Sequence, residues 1–180
     1  IEQGVIQRCV ENDGGDFSQV KMVPSTVTDE VTALKEDQVD SIWIYWAWAG
    51  EKCKLAKLDT NYFAFADIEP VFDFYTPVND FIKSDEATVK AFVDATRKGY
   101  KDCIEDPDAA AEILLKAAPE LESELVHASQ NYLADQYQAD SEDWGVIYPK
   151  RWDAFFEWVS DQGFADPIEA GAGMTDKFFA

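Results

Sequence analysis

Basic residues are scarce. Fifteen Lys and Arg stand against 36 Asp and Glu, a formal net charge of −21 in 180 residues. A surface this acidic repels phosphate backbones and anionic lipid, so neither nucleic acid nor a membrane surface is an expected partner. Histidine is almost missing. With His127 alone, metal sites built on paired histidines are excluded, the HExxH pattern among them. A Ser-His-Asp or Cys-His site would have to use this one residue, which sits in mid-helix without a supporting motif. Cysteine is limited to Cys9, Cys53 and Cys103, far apart and with no CxxC pair. Neither a zinc site, a thioredoxin-like motif nor a disulfide framework is therefore expected. No apolar run approaches the ~18 residues that span a bilayer, so no direct membrane insertion is expected. Gly171-Ala172-Gly173 lacks the strand before it and the helix after it that a dinucleotide loop requires, and it reads as a joint in the tail. Carboxylates are so common that no acidic pair is diagnostic of glycosidase chemistry. From these absences we expect no catalytic residue, no metal ligand and no cofactor.

What is present is apolar and aromatic. At 47% apolar and 14% aromatic residues, the chain can bury a core despite its charge. Its first part alternates predicted helix and strand. Glu2–Asn12 carries Val5, Ile6, Cys9 and Val10 at helical spacing and stops at Gly14-Gly15. Val20–Val23 is a predicted strand. Thr28 can cap a helix through Val31 and Leu34. Val39–Tyr45 reads as a strand buried on both faces, Trp48–Leu58 as a helix, and Tyr62–Ala66 as a third strand. That order predicts a βαβ layout with a mainly parallel sheet. After about Tyr75 the pattern is helical: Ala87–Glu105, then a helix opened by Asp106-Pro107 and ended before Pro119, then Ser123–Tyr137 and Pro149–Gln162. Cys103 shares an apolar stripe with Phe92, Thr96 and Tyr100, which predicts a buried thiol. The expected division is an α/β lobe over residues 1–75 and a helical segment over 76–180. The apolar helix faces bundle together or cover a sheet.

Two aromatic clusters stand out. Trp43-Ile44-Tyr45-Trp46-Ala47-Trp48-Ala49-Gly50 holds three of the six tryptophans and lies at a predicted strand-to-helix junction. In open α/β sheets ligands sit at the carboxyl ends of strands, where Tyr45, Trp46 and Trp48 would stack on a flat ring. The competing reading is core packing, which suits Trp43 and Ile44 inside the strand. The second cluster, Phe72-Asp73-Phe74-Tyr75-Thr76-Pro77, lies where the α/β part gives way to helices. There it reads as a hinge or cleft rim, with Tyr75 in it and Asp73 either an acceptor for an amine or a solvated loop acid.

These clusters, in this order, resemble the ABC-transporter solute-binding proteins of the thiamine-pyrimidine-precursor branch. Supporting stretches are Glu11–Asp16, Trp43–Gly50, Phe72–Val78, Ala95–Tyr100, Ala109–Leu121, Trp144–Trp152 and Gly171–Phe178. The resemblance implies a type II periplasmic-binding-protein fold with two lobes, a small parallel-sheet lobe followed by a helix-rich array that normally covers the other lobe. It further implies that the first lobe's N-terminal sheet is missing here, in keeping with a chain that opens at Ile1 inside a predicted helix. A chain without that lobe is expected to bind ligand weakly or not at all by itself. The implied partners are a small, flat ligand held at Tyr45, Trp46, Trp48, Asp73 and Tyr75, and the membrane subunits of an ABC permease. The implied location is periplasmic, or extracellular with a lipid anchor. Two departures stand out. Ala49 occupies the position where the family commonly has an acid for the aminopyrimidine, and the segment after Val78 is shortened. Two other readings share the fold: a pyrimidine-synthase-like enzyme, which needs a cysteine-rich segment and an active-site histidine, and a ligand-sensing domain of a receptor.

Overall fold

A computed structural model describes residues 2–23, 29–70 and 86–178. Among these the regular elements are helical, and no ladder joins any pair of segments. This corrects the expected α/β class with its parallel-sheet lobe. Val20–Val23 and Val39–Tyr45 contain no strand, and Tyr62–Ala66 runs into a helical turn that begins at Phe65. The backbone does extend locally, as at Val20 (φ −82°, ψ 118°) and Tyr45 (φ −94°, ψ 118°). Extension alone does not make a strand. A strand is completed by a ladder of hydrogen bonds to a neighbouring strand, and no such ladder is formed among the described residues. The expected burial on both faces fails with it, since no residue from Val39 to Tyr45 is buried.

The chain divides into two compact units, residues 1–25, 61–83 and 147–180 in the first and residues 26–60 and 84–146 in the second. The first contains α1 (Glu2–Asn12), a 3₁₀ turn (Phe17–Gln19), a short α4 (Phe65–Ile68) and α8 (Pro149–Asp161). Val5 and Cys9 are buried on one stripe of α1, four residues apart as helical spacing requires. Burial raises the Cys9 thiol above its ordinary pKa, and the nearby Glu69 adds to the rise. Arg8 Nε meets Glu69 Oε2 at 2.8 Å, and Asn12 Nδ2 donates to the same oxygen at 3.0 Å, tying α1 to the residue that follows α4. Pro149 opens α8, where a missing N–H costs nothing. Gly163 closes it at φ 72°, a conformation cheap only for glycine, and Phe164 N–H donates back to Val159 at 3.0 Å. Trp152, Trp158 and Val159 are buried along α8.

The second unit contains α2 (Glu30–Lys35), α3 (Glu51–Leu55), α5 (Glu86–Glu105), α6 (Pro107–Ala117) and α7 (Ser123–Gln136). Helix α7 packs against α3, α5 and α6, with Leu125, Val126 and Ser129 buried. Ala111, 1% exposed on α6, is small enough for close helix approach. Asp106 caps α6 by accepting from Ala109 N–H at 2.9 Å. Helix α2 is capped by Asp29, which accepts from Thr32 N–H at 3.2 Å; Thr28 lies outside the described residues. Lys52 on α3 bonds the same Asp29, and this bond, with the Thr32 hydroxyl second, holds the carboxyl to a pKa of about 2. Helix α5 matches the predicted range, but none of its residues is buried and Phe92 is 65% exposed. Cys103 is accordingly half-buried rather than buried. Periodicity marked the stripe correctly, yet α5 packs only part of it. Arg97 and Lys101 on α5 both hold Asp143, Lys101 Nζ at 2.8 Å, and Trp144 stacks on Tyr100 at 4.6 Å.

His127 on α7 sits between two carboxylates of α6. Nδ1 lies 2.9 Å from Asp108 and Nε2 3.0 Å from Glu112. Asn131, one turn along α7, also donates to Asp108 at 2.9 Å. Asp108 first, then Glu112, raises the His127 pKa above its ordinary 6.5. A raised pKa means that the folded state holds the proton more tightly than the unfolded chain. This stabilisation is complete below 6.5 and is lost as pH climbs through the raised value. We therefore expect the urea midpoint of the wild type, relative to His127→Gln, to fall as pH rises across that window. A parallel pair of pH curves would count against the clamp.

Candidate functional site: the aromatic turn

Tyr45 ends an extended approach, and its carbonyl then collects three amide protons in succession. Trp48, Ala49 and Gly50 N–H reach it at 3.2, 3.0 and 3.5 Å. The last of these is a π-type closure, so Trp46–Gly50 forms one widened turn that feeds directly into α3. Gly50 favours a close approach. A Cβ there would stand 3.2 Å from Trp46 Cγ, so glycine lets the indole fold back over its own turn.

The folded-back indole of Trp46 is half-buried and stacks on Tyr132 of α7, with ring centroids 5.9 Å apart and planes 30° apart. Its Nε1–H donates to Glu51 Oε1 at 3.2 Å. Lys54 Nζ donates to the same oxygen at 2.8 Å and lies 4.7 Å from the Trp46 ring centre and 5.9 Å from that of Tyr132. Glu51 is 8% exposed, and both of these donors meet its carboxylate at the same oxygen, as a largely buried polar group requires. Burial raises the Tyr132 phenol above its ordinary pKa.

The expected site residues separate into three situations. Tyr45 is 79% exposed and Trp48 41%, so both rings face outward from the turn. Trp46 serves as the turn's internal anchor against Tyr132 and Glu51. Asp73 and Tyr75, with the shortened segment after Val78, lie outside the described residues. Ala49 is buried, so its side chain faces protein rather than solvent. The acid of this site is Glu51, two positions further on. Glu51, Lys54 and Tyr132 escaped the sequence reading. An acid and a base three apart at a helix start was the available signal for the first two. The five-residue reach from Trp46 to Glu51 has no counterpart in ordinary helical spacing, and Tyr132 comes from a distant helix.

Elsewhere, a hollow of about 250 Å³ in the first unit is lined by Arg8, Glu69, Trp158 and Asp161, among others. Its one arginine is already bonded to Glu69, and it gathers no converging set of groups comparable with the turn. Among the described residues no group of three or more His, Cys, Asp or Glu is arranged to hold a metal ion, and no helix is long and apolar enough to cross a membrane.

No curated protein matches the chain. The model of the family described as NMT1/THI5 like matches residues 1–110, a stretch that includes the aromatic turn, Glu51 and Lys54. The chain belongs to the NMT1/THI5-like family.

Proposed function

We propose that this protein is the solute-binding component of an ABC importer, and that Tyr45 and Trp48 supply a stacking surface for a flat heterocycle such as a thiamine pyrimidine precursor. Family membership supports a solute-binding role. The observation that carries the finer reading is the outward placement of two large aromatic rings, 79% and 41% exposed, on a turn whose backbone is pinned by three hydrogen bonds. Rings left in water at a rigid point can bury their faces on a ligand without refolding the chain. The family resemblance adds Asp73 and Tyr75 to this proposal as further candidate ligand contacts. The loaded protein docks to its permease outside the cytoplasm, and ligand capture is a population shift toward the form that the ligand prefers. The pyrimidine-synthase alternative requires an active-site histidine, and both ring nitrogens of His127 are engaged by carboxylates of α6.

The test is an NMR titration of the six indole N–H signals with the aminopyrimidine precursor of thiamine. The expected result is a weak shift, saturable only at high ligand concentration, at Trp48 and Trp46, with the Trp46 shift lost in Trp48→Ala and weakened in Tyr45→Ala. Binding that survives both substitutions, or a titration that moves neither signal, would overturn the assignment.

A further inference from the structure

The group around Lys54 has the chemistry of a cation receptor, with a residue of the chain itself as occupant. Two ring faces, Trp46 and Tyr132, lie 5.9 Å apart and present their negative quadrupoles to one ammonium. Behind them the Glu51 side chain is 11% exposed and is held by the Trp46 indole N–H. These walls are built into the fold: the widened turn sets Trp46, α7 sets Tyr132 and the first residue of α3 sets Glu51. The occupant is held differently. The Lys54 side chain is 48% exposed and reaches the cage from one helical turn beyond Glu51, so solvent is open to it as an alternative. A buried acid needs a positive partner, but nothing in the arrangement requires that partner to be Lys54.

We infer that Trp46, Tyr132 and Glu51 form a recognition site for an alkylammonium group, quaternary or primary, which Lys54 fills as a tethered stand-in. Binding is an exchange. The ligand's ammonium replaces the lysine's against the same carboxylate and rings, and Lys54 swings into water. A tether of this length competes at an effective concentration of about millimolar or above, so the stand-in suppresses weak cations and admits those that fit the cage better. The site is separate from the outward faces of Tyr45 and Trp48 and takes a different ligand class.

Choline is the probe, read at the Trp46 indole N–H resonance, which reports the bond to Glu51. Its uncharged isostere, with tert-butyl in place of trimethylammonium, is the control. Removing the competitor in Lys54→Ala is expected to tighten choline binding about tenfold over wild type. Lys54→Gln, which keeps a stem over the rings without the charge, is expected to give a smaller gain. The isostere should bind neither variant comparably, and adding Glu51→Gln should abolish the gain. Equal choline affinity in wild type and both Lys54 variants, no saturable choline binding by the variants, or isostere binding as tight as choline overturns the inference. Neither variant alters Tyr45 or Trp48, so the aminopyrimidine titration succeeds or fails separately.

Discussion

Trp152→Ala is expected to destabilise the first unit by about 3–5 kcal/mol. Trp152 is 6% exposed in the middle of α8 and is the side chain that ties this helix to the tail. Its ring meets Phe156 at 4.8 Å, and its Nε1–H donates to the Ala172 carbonyl at 2.9 Å. One residue on, Gly173 lies beside the same ring, where a Cβ would make ordinary contact with Trp152 Cζ2 at 3.4 Å. Asp153 adds a second link by accepting from Gly171 N–H at 2.7 Å. Truncation to alanine therefore removes a large apolar volume, leaves a cavity that the remaining contacts fill only in part, and leaves the Asp153–Gly171 bond to hold the tail without the Trp152–Ala172 bond. Trp152→Phe separates these terms. It keeps most of the ring and loses the hydrogen bond, so its cost should be lower by about 2 kcal/mol or more. Urea unfolding at unchanged slope is the measurement, and equal costs for the two substitutions would show that the ring volume is not what holds the tail.

Leu125→Ala is the corresponding test of the second unit, with an expected cost of about 2–5 kcal/mol. Leu125 is 5% exposed near the start of α7, the helix that packs against α3, α5, α6 and the aromatic turn. The same helix carries Tyr132 against Trp46 and His127 against Asp108 and Glu112. A cavity beneath α7 thus reaches the turn through Tyr132, and the Trp46 indole resonance should broaden or shift with the loss of stability. Leu125→Met, which conserves volume, should cost less than about 1.5 kcal/mol and leave that resonance in place. A stable Leu125→Ala protein would mean that α7 is not the element on which the second unit rests.

The helices were legible wherever local chemistry decided them. Asp106 before Pro107 is a cap that works through its own next turn, and Gly163 is a stop that needs only a positive φ, so the limits of α6 and α8 fell close to expectation. The strands were misread because Val39–Tyr45 and Tyr62–Ala66 have apolar content suited to a sheet, while a sheet depends on a partner that composition does not reveal. The aromatic turn was legible as a place but not as a mechanism. Three tryptophans in one short stretch marked it, yet the outward exposure of Tyr45, the inward fold of Trp46 and the pairing of Glu51 with Lys54 follow from a π-type closure. Nothing in the spacing of the residues announces such a closure.

The Tyr45 carbonyl divides stiffness from looseness within a single residue. With three amides bonded to that oxygen, the peptide group that follows Tyr45 has surrendered its torsional freedom during folding, while Tyr45 itself stays 79% exposed. Ordering a residue's backbone costs about 1–2 kcal/mol and quieting an aromatic side chain costs less. A molecule arriving at this ring meets only the smaller of the two entropic demands, and the larger one was settled before it came.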